Sequence, residues 1–155
     1  MSATPRTTEN VIQILATLQE FLRKPIIKNK LIDFYRLEKA DQIEIIGLIL
    51  TSIPSIDRNI LEELMITWFG VLSQFDNIKI SYILSIYLEE IFKKPELIPT
   101  LVPSILKTAG SLDESNKEVL RVCFIEILFN SPVKDKIIKT FDKQTMDFLN
   151  IKINI

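Results

Sequence analysis

The stretch Asp57-Arg-Asn-Ile-Leu-Glu-Glu-Leu-Met-Ile-Thr-Trp-Phe-Gly-Val-Leu-Ser-Gln-Phe75 decides the fold class. Wound at about 3.6 residues per turn, it gathers Ile60, Leu61, Leu64, Met65, Trp68, Val71, Leu72 and Phe75 on one face. Asn59, Glu62, Glu63, Gly70, Ser73 and Gln74 fall on the other. Asp57 stands in front of the run and suits an N-cap, where a short carboxylate accepts hydrogen bonds from the first backbone N–H groups. A helix from there to about Gln74 is expected, and it is the fourth in chain order.

Outward toward the C-terminus, Asp76-Asn77 is a turn signal. Ile78 to Lys94 then reads as a fifth helix that is apolar almost all round, with a narrow polar strip of Ser81, Ser85 and Glu89, as a buried central helix would be. Pro95 is expected to open a sixth helix to about Thr108, shortened or kinked by Pro99 and Pro103. Gly110 closes it, and Asp113 or Ser115 opens a seventh to about Phe129. Ser131-Pro132 has the form of an N-cap followed by proline at the first helical position, starting a short eighth helix to about Phe141. A ninth spans Asp142 to about Asn150. The tail Asn150–Ile155 alternates with period two and reads as a short extended segment or a frayed helix end.

Toward the N-terminus, Asp41 suits the cap of a third helix that stops at Pro54. Thr8 to Arg23 forms a first helix with Val11, Leu15, Leu18 and Leu22 on one stripe. Pro25 is expected to end it and to open a shorter second helix through Tyr35. The 27 isoleucines favour strands by propensity alone. The helical period and the spaced prolines outweigh that preference.

A chain of 155 residues is long enough for one sizeable core, and 47% hydrophobic residues with a mean hydropathy of +0.22 supply one. A single helical domain over residues 1–155 is expected, with residues 1–7 flexible and 150–155 as a tail. Net charge is -1, so no general electrostatic grip on nucleic acid or anionic lipid is implied. There is no histidine, which excludes Ser-His-Asp triads and His-ligated metal sites. Cys123 is the one cysteine; it cannot form an intramolecular disulfide and reads as a small core thiol. Three well-separated glycines cannot build a phosphate-cradling loop. No cofactor and no metal are therefore expected, and catalysis is disfavoured. The polar start Met1–Thr8 lacks the apolar segment of a signal peptide, and no apolar run reaches membrane length, so a reducing cytoplasmic setting and no membrane partner are expected.

A proline pattern recurs along the chain. Phe21-Leu-Arg-Lys-Pro25-Ile26, Ile91-Phe-Lys-Lys-Pro95-Glu96 and Leu128-Phe-Asn-Ser-Pro132-Val133 share an apolar helix end, two spacers and a proline. Ile49–Pro54 repeats it with one residue inserted. Candidate capping acids Asp41, Asp76 and Asp113 lie 35 and 37 residues apart. That period suits stacked helix pairs. Leu101-Val-Pro-Ser-Ile-Leu106, then Asp113, then Val119-Leu-Arg121 and Ile125-Glu-Ile-Leu128 resemble a HEAT repeat, best over residues 95–129. In that family a proline-bearing first helix leads through an Asp-containing turn to a second helix with a Val-Arg pair. Here Leu120 separates Val119 from Arg121.

The resemblance implies an all-α fold of eight or nine helices in antiparallel pairs, a HEAT/ARM-like right-handed α-solenoid, or else a related helical bundle. It also implies a contact surface lined by the second helices of each pair, which are here the third, fifth and seventh. Glu44, Glu89, Arg121 and Glu126 are the polar candidates for partner contact on them. Independently of the resemblance, Ile66 interrupts the polar face of the fourth helix and Phe69 borders it, which marks them as a partner or homodimer surface. Two basic clusters, Lys24/Lys28/Lys30 and Lys134/Lys136/Lys139, offer an alternative as a nucleic-acid contact in a ribonucleoprotein complex. Phe34 and Phe141 beside them read as core. The expected function is a non-catalytic protein–protein interaction or scaffold module, a subunit or adaptor of a larger assembly.

Overall fold

The computed structural model describes residues 5–149, with side chains from Asn10 onward. Every regular element among them is helical: α1 (Pro5–Thr17), α2 (Glu20–Arg36), α3 (Lys39–Ser52), a 3-10 turn (Ile53–Ser55), α4 (Arg58–Leu72), α5 (Asn77–Phe92), α6 (Ile98–Gly110), α7 (Glu114–Phe129), α8 (Lys134–Ile138) and α9 (Lys143–Leu149). The all-α class and the helix number follow the periodicity. No described helix is long and apolar enough to cross a membrane. The expected flexibility of residues 1–4 and the alternating tail lie outside the described residues; from Pro5 the backbone is helical.

Aspartates start four of these helices as capping chemistry requires. Asp57 Oδ1 accepts from the N–H groups of Asn59 and Ile60 at 3.0 and 3.3 Å. Asp76 accepts from Lys79 N at 2.9 Å, Asp113 from Asn116 N at 2.9 Å and Asp142 from Thr145 N at 2.8 Å. Each bond satisfies a backbone donor that has no partner within its helix. Asp41 behaves differently. It lies inside the first turn of α3, whose N-cap position is Glu38.

The chain divides into two compact units, Met1–Leu72 and Ser73–Ile155, at a point where composition shows no shift. In the first, α1 packs on α3 and α4, and α2 on α4. The closest packing there joins helices that are not consecutive in the chain. The core is built from Ile27, Leu31 and Phe34 of α2, Ile46 and Leu50 of α3, and Leu64, Phe69 and Leu72 of α4. In the second, α7 packs on α5, α6 and α9, and α6 packs on α9. Ile80, Ile83 and Leu84, Leu120 and Phe124, and Met146 and Leu149 are buried there. A void of about 10 Å³ remains among Leu88, Leu106, Phe124, Ile137 and Phe141, room for about one water but with apolar walls.

The prolines that align in sequence sit in four different surroundings. Pro25 is the sixth residue of α2, not its start; the break between α1 and α2 falls at Leu18-Gln19 instead. Gln19 is extended, with ψ 151°, and Thr17 Oγ1 donates to Ile14 O at 2.8 Å. The stripe Val11, Leu15, Leu18, Leu22 runs across this break and so masks it, although Leu22 is exposed on α2. Pro54 lies in the 3-10 turn, Pro95 in the turn before α6, and Pro132 in the turn before α8. Ser131 Oγ accepts from Val133 N at 3.3 Å, a side-chain turn two residues long, and α8 begins only at Lys134. Pro99 and Pro103 both lie within α6, Pro103 in its interior.

Two buried polar side chains close helix ends in the first unit. Gln42, fully buried, donates from Nε2 to Phe34 O at 2.8 Å at the end of α2. Arg23 is buried as well, donating from Nε to Thr67 Oγ1 at 3.1 Å and from Nη1 to Leu18 O at 3.4 Å. Thr67 on α4 is buried beside it. Trp68 is half-buried and Phe69 is 3% exposed, with their rings edge to face at 5.0 Å. Phe69 therefore belongs to the core and not to an exposed surface. Ile66 stays outside at 42% exposure.

Candidate functional site

α5 is apolar enough to bury nearly every face, since Ile80, Ile83, Leu84, Ile86, Leu88 and Ile91 are all in the core. The strip left over is Ser81, Ser85 and Glu89, spaced at i, i+4 and i+8 along one line of the helix. α7 packs beside it, burying Leu120, Cys123, Phe124 and Leu128. A groove of about 440 Å³ runs along this junction. α5 lines it with Ser81, Tyr82, Ser85, Glu89 and Phe92. α7 and the turn after it contribute Glu126, Ile127, Asn130, Ser131 and Pro132.

The polar strip therefore lines a groove, where the sequence suggested only a gap in a buried helix. Its hydroxyls are already engaged. Ser85 Oγ donates to Tyr82 O at 2.8 Å and Ser81 Oγ to Cys123 Sγ at 3.4 Å. The carboxylates are not. Lys93 pairs with Glu90 at 2.6 Å, leaving Glu89 only a longer-range attraction from the same ammonium. Neither the Glu89 nor the Glu126 carboxylate has a hydrogen bond or ion pair among the described residues, and both residues are exposed. Two carboxylates from different helices thus converge on a groove whose walls include Tyr82, Phe92 and Ile127. Further apolar surface adjoins it on α7, where Val122 and Phe129 are 45% and 46% exposed. Lys134 Nζ stands 5.5 Å from the Phe129 ring centre, a cation–π contact.

The other predicted residues fall elsewhere. Arg121 is half-buried on α7 and bound through its guanidinium to Glu118, which holds the Glu118 carboxyl below its ordinary range. Glu44 is exposed on α3, and Ile66 is exposed on α4, both in the first unit. Lys24, Lys28 and Lys30 are exposed on α2 in the first unit, and Lys134, Lys136 and Lys139 lie on or beside α8 in the second. Phe34 is core, as expected, and Phe141 is half-buried. Tyr82 and Phe92 are groove residues that the helical wheel of α5 assigned to its apolar surround; the only sequence signal for them was their position flanking the polar strip.

Chemically, the groove offers hydrogen-bond acceptors and apolar walls. Cys123 lies under Ser81 at 4% exposure, and burial pushes its thiol up, a shift reinforced by the charge of Glu126 and opposed by the Ser81 hydroxyl. A thiol so held is protonated and a poor nucleophile near neutral pH. Among the described residues no cluster of three or more His, Cys, Asp or Glu side chains is placed to hold a metal ion. No family model, curated protein or solved structure matches the chain.

Proposed function

We propose that this chain is a non-catalytic protein-binding module, a subunit or adaptor of an assembly, and that the α5–α7 groove is its contact face. One observation carries the reading: Glu89 and Glu126, far apart in sequence, meet at one groove with neither carboxylate in an ion pair among the described residues. Carboxylates left unpaired beside exposed aromatic and aliphatic surface suit a partner segment that brings lysine or arginine together with apolar anchors. The single buried thiol suits a reducing setting for that partner.

The test is affinity capture from native cells with the wild-type chain and with Glu89→Lys/Glu126→Lys, using Glu44→Lys as a matched charge change on the other unit. Circular dichroism establishes that all three fold alike. The groove reading expects partners to be lost from the double variant and retained by Glu44→Lys. Identical partner sets on all three baits would rule the groove out.

A further inference from the structure

We propose that the partner segment docks in the α5–α7 groove as an amphipathic helix, with two cations about five residues apart on either side of its apolar stripe. The inference rests on the groove reading above and adds the partner's conformation and spacing. Ser81 Oγ meets Cys123 Sγ at 3.4 Å. α5 lines the groove from Ser81 onward and α7 from Glu126 onward, so both helices run away from this contact in the same direction. Glu89 comes eight residues after Ser81, and Glu126 three after Cys123. The two carboxylates are thus staggered by about five residues, or about 7.5 Å at 1.5 Å per residue, on the two walls of one groove.

The lining selects against an extended segment. The backbones of α5 and α7 are spent on their own helical bonds. The Ser81 and Ser85 protons go to Cys123 Sγ and Tyr82 O, and carboxylates only accept. An extended chain would bury its carbonyls against a wall of acceptors, a cost that a helix avoids by pairing its own backbone. The apolar surface suits a helix too. Ile78, Tyr82 and Phe92 fall within about 80° of one another around α5 and mark a track about 21 Å long, close to four helical turns. Ile78, 77% exposed, forms its outer end, and Ile127 faces the track from α7. In a docked helix, residues i and i+5 lie about 140° apart, so cations there flank a stripe through i−3, i+1, i+4 and i+8. One cation then reaches Glu89 and the other Glu126. The charges orient the helix and the apolar stripe supplies most of the affinity.

The test is a random peptide library of about 16 residues, four helical turns, selected on the wild-type chain and counter-selected on Glu89→Lys/Glu126→Lys. Enriched sequences should carry the apolar stripe with Lys or Arg on both flanks, and the synthesised peptides should gain helical circular dichroism on binding. Their affinity should fall at least about tenfold for Glu89→Lys/Glu126→Lys, and for Glu89→Gln/Glu126→Gln, which keeps the side-chain shape if reversal disturbs the fold. Ile78→Ser, a change at an exposed position, should weaken them severalfold with the fold unaltered. Enrichment of sequences alternating with period two overturns the proposal, as does enrichment without cations, binding without gain of helix, or no enrichment at all. A wild-type chain whose mass rises with concentration in sedimentation, and whose double variants stay monomeric, overturns it in favour of a second copy. If the double variants lose their captured cellular partners while the selected peptides bind extended, the groove reading stands and only the helix falls.

Discussion

Both units start helices with an aspartate cap, Asp57 on α4 in the first, but the first also closes helix ends with buried side chains. In the first, the end of α2 is sealed by Gln42 from α3, and the end of α1 by Arg23, whose guanidinium also holds Thr67 of α4. These contacts are buried and, for Arg23 and Thr67, bridge residues 44 apart in sequence. In the second, α5, α7 and α9 are each started by an aspartate one residue before the helix, in solvent and within three residues of its partner. A cap of the second kind is local and replaceable. A cap of the first kind is fixed by the tertiary packing, so its loss strands buried polar groups as well as removing a bond.

That difference orders the expected effects of substitution. Arg23→Ala should be the most damaging, by about 3 kcal/mol, because it opens space and leaves Leu18 O and Thr67 Oγ1 without their donor. Arg23→Lys should recover little, since one ammonium cannot reproduce the guanidinium fork. Urea unfolding measures both; a loss below about 0.5 kcal/mol for the alanine variant would erase the contrast between the units. Gln42→Ala should follow at about 2 kcal/mol, with faster amide exchange concentrated at the end of α2. Asp113→Ala should cost about 1 kcal/mol, and Asp113→Asn a fraction of that, because asparagine caps nearly as well.

Acid should act on the local caps. The backbone N–H of Lys79 holds the Asp76 carboxyl below its ordinary range, and that of Thr145 does the same for Asp142. A carboxyl whose folded value is depressed stabilises the fold above the ordinary carboxylate range and loses that contribution as pH falls toward the folded value. Stability of the wild type should therefore decline on acidification, and Asp76→Asn/Asp142→Asn should flatten the decline. A curve of unchanged slope in the double variant would assign acid sensitivity elsewhere. The smallest effect concerns Cys123. Burial favours its thiol form, so stability should slip only as pH rises past the ordinary thiol range, where the unfolded chain ionises first. Native Cys123 should also label slowly with a thiol reagent at pH 8 and quickly in denaturant; equal rates would contradict its burial.

Much of the local structure was legible from residues alone. Asp57, Asp76 and Asp113 could be placed because a cap acts within a single turn, and the class of every element followed from apolar spacing. The aligned prolines misled. Pro25, Pro54, Pro95 and Pro132 look equivalent in sequence yet occupy a helix interior, a 3-10 turn and two different loops. Proline restricts its own φ and removes one donor, which is compatible with all of these settings. The break at Leu18-Gln19 had no glycine or proline to announce it, because its stability comes from Arg23 reaching back. Phe69 was misjudged because α4 buries more than the single face that apolar spacing assigns: Thr67 and Phe69, on nearly opposite sides of the helix, are both in the core.

The groove divides the same way. Its polar strip of Ser81, Ser85 and Glu89 was visible in the sequence, as was Glu126 on the seventh helix. Their meeting on one groove was not, and neither was the partnership of Lys93 with Glu90 that leaves Glu89 free of an ion pair. Sequence by itself determined the helical class, the caps at Asp57, Asp76 and Asp113 and the exposure of Glu44, Ile66, Glu89 and Glu126, since periodicity and capping operate over a few neighbouring residues. Only the tertiary structure decided which polar side chains are buried, which aromatic ring lies in the core and which carboxylates share a groove. Those outcomes depend on the element that arrives from elsewhere in the chain, and no local pattern encodes that arrival.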